Sequence, residues 1–380
     1  MKVKALSAPL LITLSAVIFA GCAGNNDPAN FSSALPEAKT GIGIKYARNF
    51  NIDYLGNGVK LVIDSAGNKL LLVPKGINVP SGYDNVVPIE TPIKRAVYTS
   101  TTQVGLMGAL GDDSLYDSVV GVCTKEEQWT TPQVIERFRR GITRDVQCSQ
   151  MGVGNIEEII KTRPDLVFID GNNDMQFGNL LDEVNIKHAA VMEWTEKGNA
   201  ESLEWIKFFA AFYNLDEESD RVFEAKLERL DELYEKAAGV SYRPTVAYGV
   251  ISSGVVYSQA GGSTFAEQVE KAGGIYILKD VEGYSSTRIT KEEFLSKCRD
   301  ADILIYGILS QYCPDKAFLL ETEPLLAELK AFRNDKVYIL DQGYYMNSAK
   351  VVEKFVDMVS IFHPDMFPGR ELTLYRKLPD

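Results

Sequence analysis

From residue 93 onward, short apolar runs of strand length alternate with segments whose apolar residues fall at helical spacing. Residues 95–100, 118–122 and 166–169 read as strands. Residues 103–110, halted by Gly111, read as a helix. So do 155–162, with Ile156, Ile159 and Ile160 on one face and Pro164-Asp165 behind them. Strands and helices in alternation predict a parallel sheet covered on both faces.

The middle of the chain breaks this rhythm. Residues 199–213 predict one helix and 216–238 a longer one, in which Phe223, Leu227, Leu230, Tyr234 and Ala237 form an amphipathic stripe. Asn214 with Glu217 reads as a capping box, and Gly239 closes the helix. At about 1.5 Å per residue this is a rod of about 35 Å, enough to run along two lobes. The rhythm then resumes. Strands are expected at 245–250, 301–306 and 336–340, and helices at 263–272, 290–297, 323–331 and 349–362. The run Asn155-Ile156-Glu157-Glu158 leading into Leu166-Val167-Phe168-Ile169 is echoed by Thr290-Lys291-Glu292-Glu293 leading into Ile303-Leu304-Ile305. An echo on either side of a long helix predicts two similar lobes.

The front of the chain differs. Lys2 and Lys4 precede an apolar stretch, 5–20, that ends in Ala20-Gly21-Cys22. Charge, apolar stretch and small residues are the order of a secretory signal peptide, and the stretch is short for a membrane span. Residues 23–40 are small and polar, as a tether would be. Residues 59–63 and 69–73, with the polar turn 65–68 between them, predict a β-hairpin.

Composition narrows the function. Lys plus Arg is 40 and Asp plus Glu is 52, a net charge of −12, which disfavours nucleic acid as a partner. No nucleophile elbow, phosphate loop or zinc-protease motif is present, and the two histidines, His188 and His363, read as structural. An enzyme is not expected, and neither is a bound metal ion, which would need several histidines converging with carboxylates. Beyond Cys22, the four cysteines fall as one pair in each half, Cys123 with Cys148 and Cys298 with Cys313. In an oxidising compartment each pair is a disulfide candidate; buried thiols are the alternative.

Four segments together resemble a class III, helical-backbone periplasmic binding protein, the solute-binding component of ABC importers for siderophores, haem or cobalamin. They are 95–111 with the strand 119–122; Gly154-Asn155-Ile156-Glu157 through Pro164-Asp165-Leu166-Val167; 263–274 with Ala272-Gly273-Gly274; and Ala331-Phe332-Arg333-Asn334-Asp335-Lys336-Val337-Tyr338. The resemblance covers about 92–365. It implies two Rossmann-like α/β lobes with parallel sheets, joined by one long backbone helix, with the ligand in the cleft between them. The division then reads as signal peptide 1–21, tether 22–40, a small β-hairpin appendage 41–91, N-terminal lobe 92–213, interlobe helix 214–239 and C-terminal lobe 240–380. Cys22, directly after Ala-Gly, looks like a lipobox cysteine, which implies lipid anchoring on the extracytoplasmic face of a membrane; a monomer is expected.

By the same resemblance the loops carrying Trp129, Tyr257, Tyr284, Arg288, Tyr344 and Tyr345 face the cleft. Aromatic walls suit a bulky chelate or macrocycle, and Arg288 could fork onto a carboxylate or catecholate. No resident cofactor is expected. A ferric siderophore ranks first as ligand, cobalamin second and haem, with Tyr257 or Tyr284 as axial residue, third. Glu157 and Glu292 begin equivalent helices, and in the resembling family an acid there on each lobe pairs with arginines of the permease. Acids also favour a first helical turn through the macrodipole. Without such docking the fold would suit a free-standing surface scavenger or adhesin.

Overall fold

A computed structural model describes residues 43–83, 86–149, 153–171 and 174–380. The signal peptide, Cys22 and the tether expected from the sequence lie outside the described residues.

The chain begins with a four-stranded sheet, β1 (Asn51–Gly56), β2 (Val59–Ile63), β3 (Lys69–Pro74) and β4 (Val87–Thr91), in that spatial order. The expected hairpin is β2–β3, paired from Lys60↔Leu72 to Ile63↔Lys69. The Asp64 carboxylate builds its turn by accepting from the backbone N–H groups of Ala66 (3.0 Å) and Asn68 (2.9 Å). The appendage is therefore more than a hairpin, since β1 adds antiparallel and β4 parallel. It is also docked. Asp64 accepts from the N–H of Ala190 (2.7 Å), and Ser65 donates to the Ala190 carbonyl (3.3 Å).

The N-terminal lobe follows as β5 (Ala96–Tyr98), α1 (Thr101–Gly108), β6 (Val119–Val122), α2 (Pro132–Arg139), β7 (Arg144–Asp145), α3 (Ile156–Thr162), β8 (Leu166–Asp170), α4 (Asp174–Glu183) and β9 (His188–Val191). Its sheet runs β7-β6-β5-β8-β9, all parallel. β5 and β6 are buried along their whole length and β8 up to its last residue, as strands covered on both faces must be.

Helices α5 (Asn199–Tyr213) and α6 (Asp216–Ala238) carry the chain to the second lobe. α5 contributes Trp205, Phe208, Phe209 and Phe212, all fully buried, to the first lobe's aromatic core. The expected capping box at Asn214 does not form. Asn214 is left-handed (φ 56°, ψ 39°) and closes α5, so it cannot cap α6. α6 starts beside the appendage and ends on the second lobe, where Tyr234 meets Phe355 edge-on at 4.8 Å.

The C-terminal lobe comprises β10 (Thr245–Ser252), β11 (Val255–Gln259), α7 (Thr264–Lys271), β12 (Ile275–Tyr276), β13 (Ser286–Thr290), α8 (Lys291–Cys298), β14 (Ile303–Leu309), α9 (Lys316–Thr322), α10 (Lys330–Arg333), β15 (Val337–Leu340), α11 (Val351–Phe362) and β16 (Tyr375–Lys377). Its parallel core, β12-β10-β14-β15, repeats β6-β5-β8-β9 of the first lobe. The echoed helices α3 and α8 precede the equivalent strands β8 and β14. The second lobe adds an antiparallel pair, β11 and β13, to the C-terminal half of β10, so this sheet is mixed. The single helix expected over 323–331 is split. Leu329 is extended (φ −72°, ψ 137°) and separates a 3-10 turn from the short α10.

Candidate functional site

In both lobes the parallel strands point their C-terminal ends toward the other lobe, the end at which open α/β sheets bind ligands. In the first lobe β5 runs into the capping box of α1. The Gln103 side-chain oxygen accepts from the N–H groups of Thr99 (3.1 Å) and Ser100 (3.2 Å). β8 ends at Asp170, and Glu193 and Trp194 follow β9, with the Trp194 indole N–H donating to Asp170 at 3.4 Å. In the second lobe the corresponding segment is 341–350, after β15.

The lobes touch through named contacts. Gln128 donates to the Tyr312 hydroxyl (2.6 Å), and Ser348 Oγ donates to the Thr102 carbonyl (2.8 Å). The N–H of Asn199 donates to Glu267 (3.0 Å), and Lys197 lies over the Tyr284 ring at 4.0 Å. Gly105 of α1 makes the Ser348 contact possible. A Cβ there would stand 2.5 Å from the Met346 carbonyl oxygen and 2.7 Å from Ser348 Oγ.

The expected wall residues divide. Tyr257 and Arg288 lie on strands, not loops. They are register partners on β11 and β13, and the guanidinium sits 5.2 Å from the ring centroid. Tyr284, 49% exposed, precedes β13. Tyr344 and Tyr345 are half-buried and edge-on at 5.3 Å, and the Tyr344 hydroxyl is 3.2 Å from that of Tyr375. Burial raises both phenols above their ordinary range. Trp129 is a correction. It is 4% exposed, and its indole N–H donates to the Thr124 carbonyl (3.0 Å), so it packs the loop and offers no face to a ligand.

Three residues at this end escaped sequence reasoning. Glu193, 7% exposed, is pushed up to about 7 by burial, with Asp170 adding repulsion and the Thr102 hydroxyl opposing the shift. Lys354, 8% exposed, is lowered to about 8 by burial alone; its ammonium lies 4.3 Å from the centre of the Tyr344 ring. Lys197 is the third. None carries a local motif, and only the fold brings them to the lobe boundary.

Glu157 and Glu292 occupy the same place in α3 and α8, the second helical residue. Asn155 caps the first helix by accepting from the Glu157 N–H (3.0 Å), and Thr290 caps the second by accepting from the Glu293 N–H (3.1 Å). The next acid in each helix is paired, Glu158 with Lys161 (2.5 Å) and Glu293 with Lys297 (3.1 Å). Glu157 and Glu292 are exposed.

The cysteines split as well. Cys123 and Cys148 form a disulfide with Cα atoms 5.0 Å apart. Cys298 and Cys313 do not pair; both are buried free thiols. Cys298 precedes β14 and Cys313 follows it, and a seven-residue strand at about 3.3 Å per residue holds its two ends about 20 Å apart. A groove of about 630 Å³ is lined by Tyr242, Asp302, Asn334 and His363, among others. It lies at the N-terminal ends of β10, β14 and β15, away from the cleft.

The sequence profile described as "periplasmic binding protein" matches residues 97–344. An uncharacterized lipoprotein of Methanocaldococcus jannaschii is 28% identical, with 98% of this chain and 96% of the relative aligned. Among solved structures, a periplasmic haem-binding protein from Pseudomonas aeruginosa superposes with a TM-score of 0.58 at 15% identity, over 76% of this chain and 99% of that one. A periplasmic vitamin B12-binding protein from Vibrio cholerae gives 0.52 at 16% identity, over 73% and 99%. The matched profile, the paired lobes and the long connecting helix agree: the chain belongs to the periplasmic binding protein family, with the class III fold.

Proposed function

We propose that this protein is the solute-binding component of an ABC importer, anchored to the outer face of a membrane by lipid on Cys22, and that its cargo is a ferric siderophore. The observation that carries the cargo reading is a pair of cation–aromatic contacts at the second lobe's edge, Lys197 over Tyr284 and Arg288 over Tyr257. Tyr284 and Arg288 are four residues apart, about 13 Å along an extended chain. Two cations beside two aromatic faces suit an anionic chelate with aromatic arms, since the guanidinium fork matches paired oxygens and the rings supply stacking area. Cobalamin and haem need fewer cations. Lipid anchoring is in keeping with the lipoprotein relative and with Ala20-Gly21-Cys22.

The test is a fluorescence and visible-absorbance titration of the purified mature domain with a ferric tris-catecholate, a ferric hydroxamate, cyanocobalamin and haemin. The proposal expects saturable one-to-one binding that is tightest for the ferric catecholate. Saturable binding of cyanocobalamin or haemin alone would reassign the cargo.

A further inference from the structure

After β15 the second lobe sends a folded segment across the boundary into the first. Its shape is set within its own lobe. The Asp341 carboxylate accepts from the Gly343 N–H (2.8 Å) and from Arg376 (2.6 Å), and the Tyr344 N–H donates to the Asp341 carbonyl (3.0 Å). The Asn347 backbone N–H (3.0 Å) and side-chain amide (2.8 Å) both donate to the Gly343 carbonyl. The Tyr344 hydroxyl, 3.2 Å from that of Tyr375 on β16, fixes the segment to the sheet. A segment held by its own bonds meets a partner surface at little further cost in ordering.

The first lobe receives it between α1 and the loop after β6. Ser348 Oγ donates to the Thr102 carbonyl (2.8 Å). The backbone N–H and the hydroxyl of Thr130 both donate to Met346 Sδ, each at 3.3 Å, and the Gln342 side-chain amide donates to the Gln128 carbonyl (3.5 Å). Met346 is 9% exposed, so its thioether is seated among these groups and does not rest on an open surface. Each side of the contact has a glycine where the other approaches. Besides the close approach at Gly105 described above, a Cβ on Gly343 would stand 2.9 Å from Thr130 Oγ1. A fit this close leaves no room for an added methyl group unless the surfaces part.

We infer that Gly343–Ser348 is a preformed peg and that Thr102, Gly105 and Thr130 are its socket, together an interlobe lock that holds the lobes at the spacing seen here. The peg lies against the start of α1, at the cleft end of the first lobe, so unseating it uncovers that part of the cleft floor. Asn199, with Glu267 (3.0 Å) and Gln268 (2.5 Å), adds a second crossing contact beside α6, whose Tyr234 accepts from the Asn199 amide. The lock rests on the two-lobe fold and on contact geometry, and is independent of the cargo.

Nitroxide labels on Glu136→Cys of α2 and Glu321→Cys of α9, both exposed, would report the lobe spacing by double electron–electron resonance. These helices follow Gln128 and Tyr312, which meet across the boundary at 2.6 Å, so parting the lobes there lengthens the distance. In the Cys22→Ser chain the described native cysteines are bridged or buried, and the label goes to the introduced thiols. The double substitution Thr130→Val with Ser348→Ala removes two crossing bonds without adding bulk, and Gly105→Ala drives a methyl group into the peg. Without any solute, both should shift the distribution to longer distances than in the parent, Gly105→Ala the further. If Gly105→Ala does not fold, the double variant decides alone. Folded variants whose distributions superimpose on the parent's would overturn the inference.

Discussion

Lys60 of the N-terminal sheet places its ammonium 2.6 Å from Asp216, the first residue of the long helix that joins the lobes. The same ammonium donates to the Ala211 carbonyl (2.9 Å) and to Asn214 (3.3 Å), so one buried cation ties the end of α5 to the start of α6. Two further anchors act in parallel. The buried Glu204 carboxylate accepts from the N–H groups of Lys45, Tyr46 and Ala47, and Glu196 accepts from those of Arg48 and Asn49. The appendage therefore braces the joint from which the interlobe helix departs.

Lys60→Ala should destabilise the protein by about 3 kcal/mol or more, because it leaves the Asp216 carboxylate and two acceptors at a closed joint without their cation. Denaturant unfolding followed by circular dichroism checks this. A loss below about 0.5 kcal/mol, the size expected of an ordinary surface change, would mean that the brace is dispensable.

Reduction of the Cys123–Cys148 bridge, which closes a loop across a sequence separation of 25, should cost about 3 kcal/mol on the chain-entropy model. Cys298 and Cys313 should alkylate only after unfolding. Non-reducing peptide mapping that recovers a Cys298–Cys313 bridge from native protein would contradict the structure.

Much of the fold was legible in the sequence. The extents of α5 and α6 match the expected 199–213 and 216–238, and in α6 the amphipathic stripe repeats its signal over several turns. The β10–β11 hairpin was not read, although Ser253-Gly254 carries the signal. Both residues have positive φ (51° and 79°), as a two-residue hairpin turn requires. That turn lay hidden because β11 alternates buried and half-buried residues and runs directly into Gly261-Gly262, which resembles loop composition. The sequence pattern by itself therefore puts Tyr257 and Arg288 in loops, whereas they pair across β11 and β13. The candidate site was legible only in part. Aromatic residues near strand ends can be listed from sequence, but which of them turn inward, as Trp129 does, depends on packing. Glu193 gains its hydroxyl partner, Thr102, from far along the chain, and that pairing comes only from the fold.

Tyr257→Ala and Arg288→Ala should each weaken binding of the ferric catecholate by about 1–3 kcal/mol, with unchanged circular dichroism. Trp129→Phe should leave affinity unaltered, since that ring faces the protein interior. Parental affinity in both Tyr257→Ala and Arg288→Ala would remove β11 and β13 from the binding surface.

Cys22→Ser should release the protein from membranes, because acyl chains supply the whole of the proposed attachment. Detergent phase partitioning of the two forms reads this directly; equal partitioning would exclude the anchor.

The most direct test of delivery to an importer is solute uptake by cells carrying Glu157→Arg together with Glu292→Arg. Two exposed acids at equivalent helix starts, one on each lobe, suit orientation against paired cations on a permease. The account predicts that the double variant is exported normally and binds its cargo like the parent, yet fails to support uptake. Uptake at the parental rate would contradict docking through these residues and favour a free-standing scavenger.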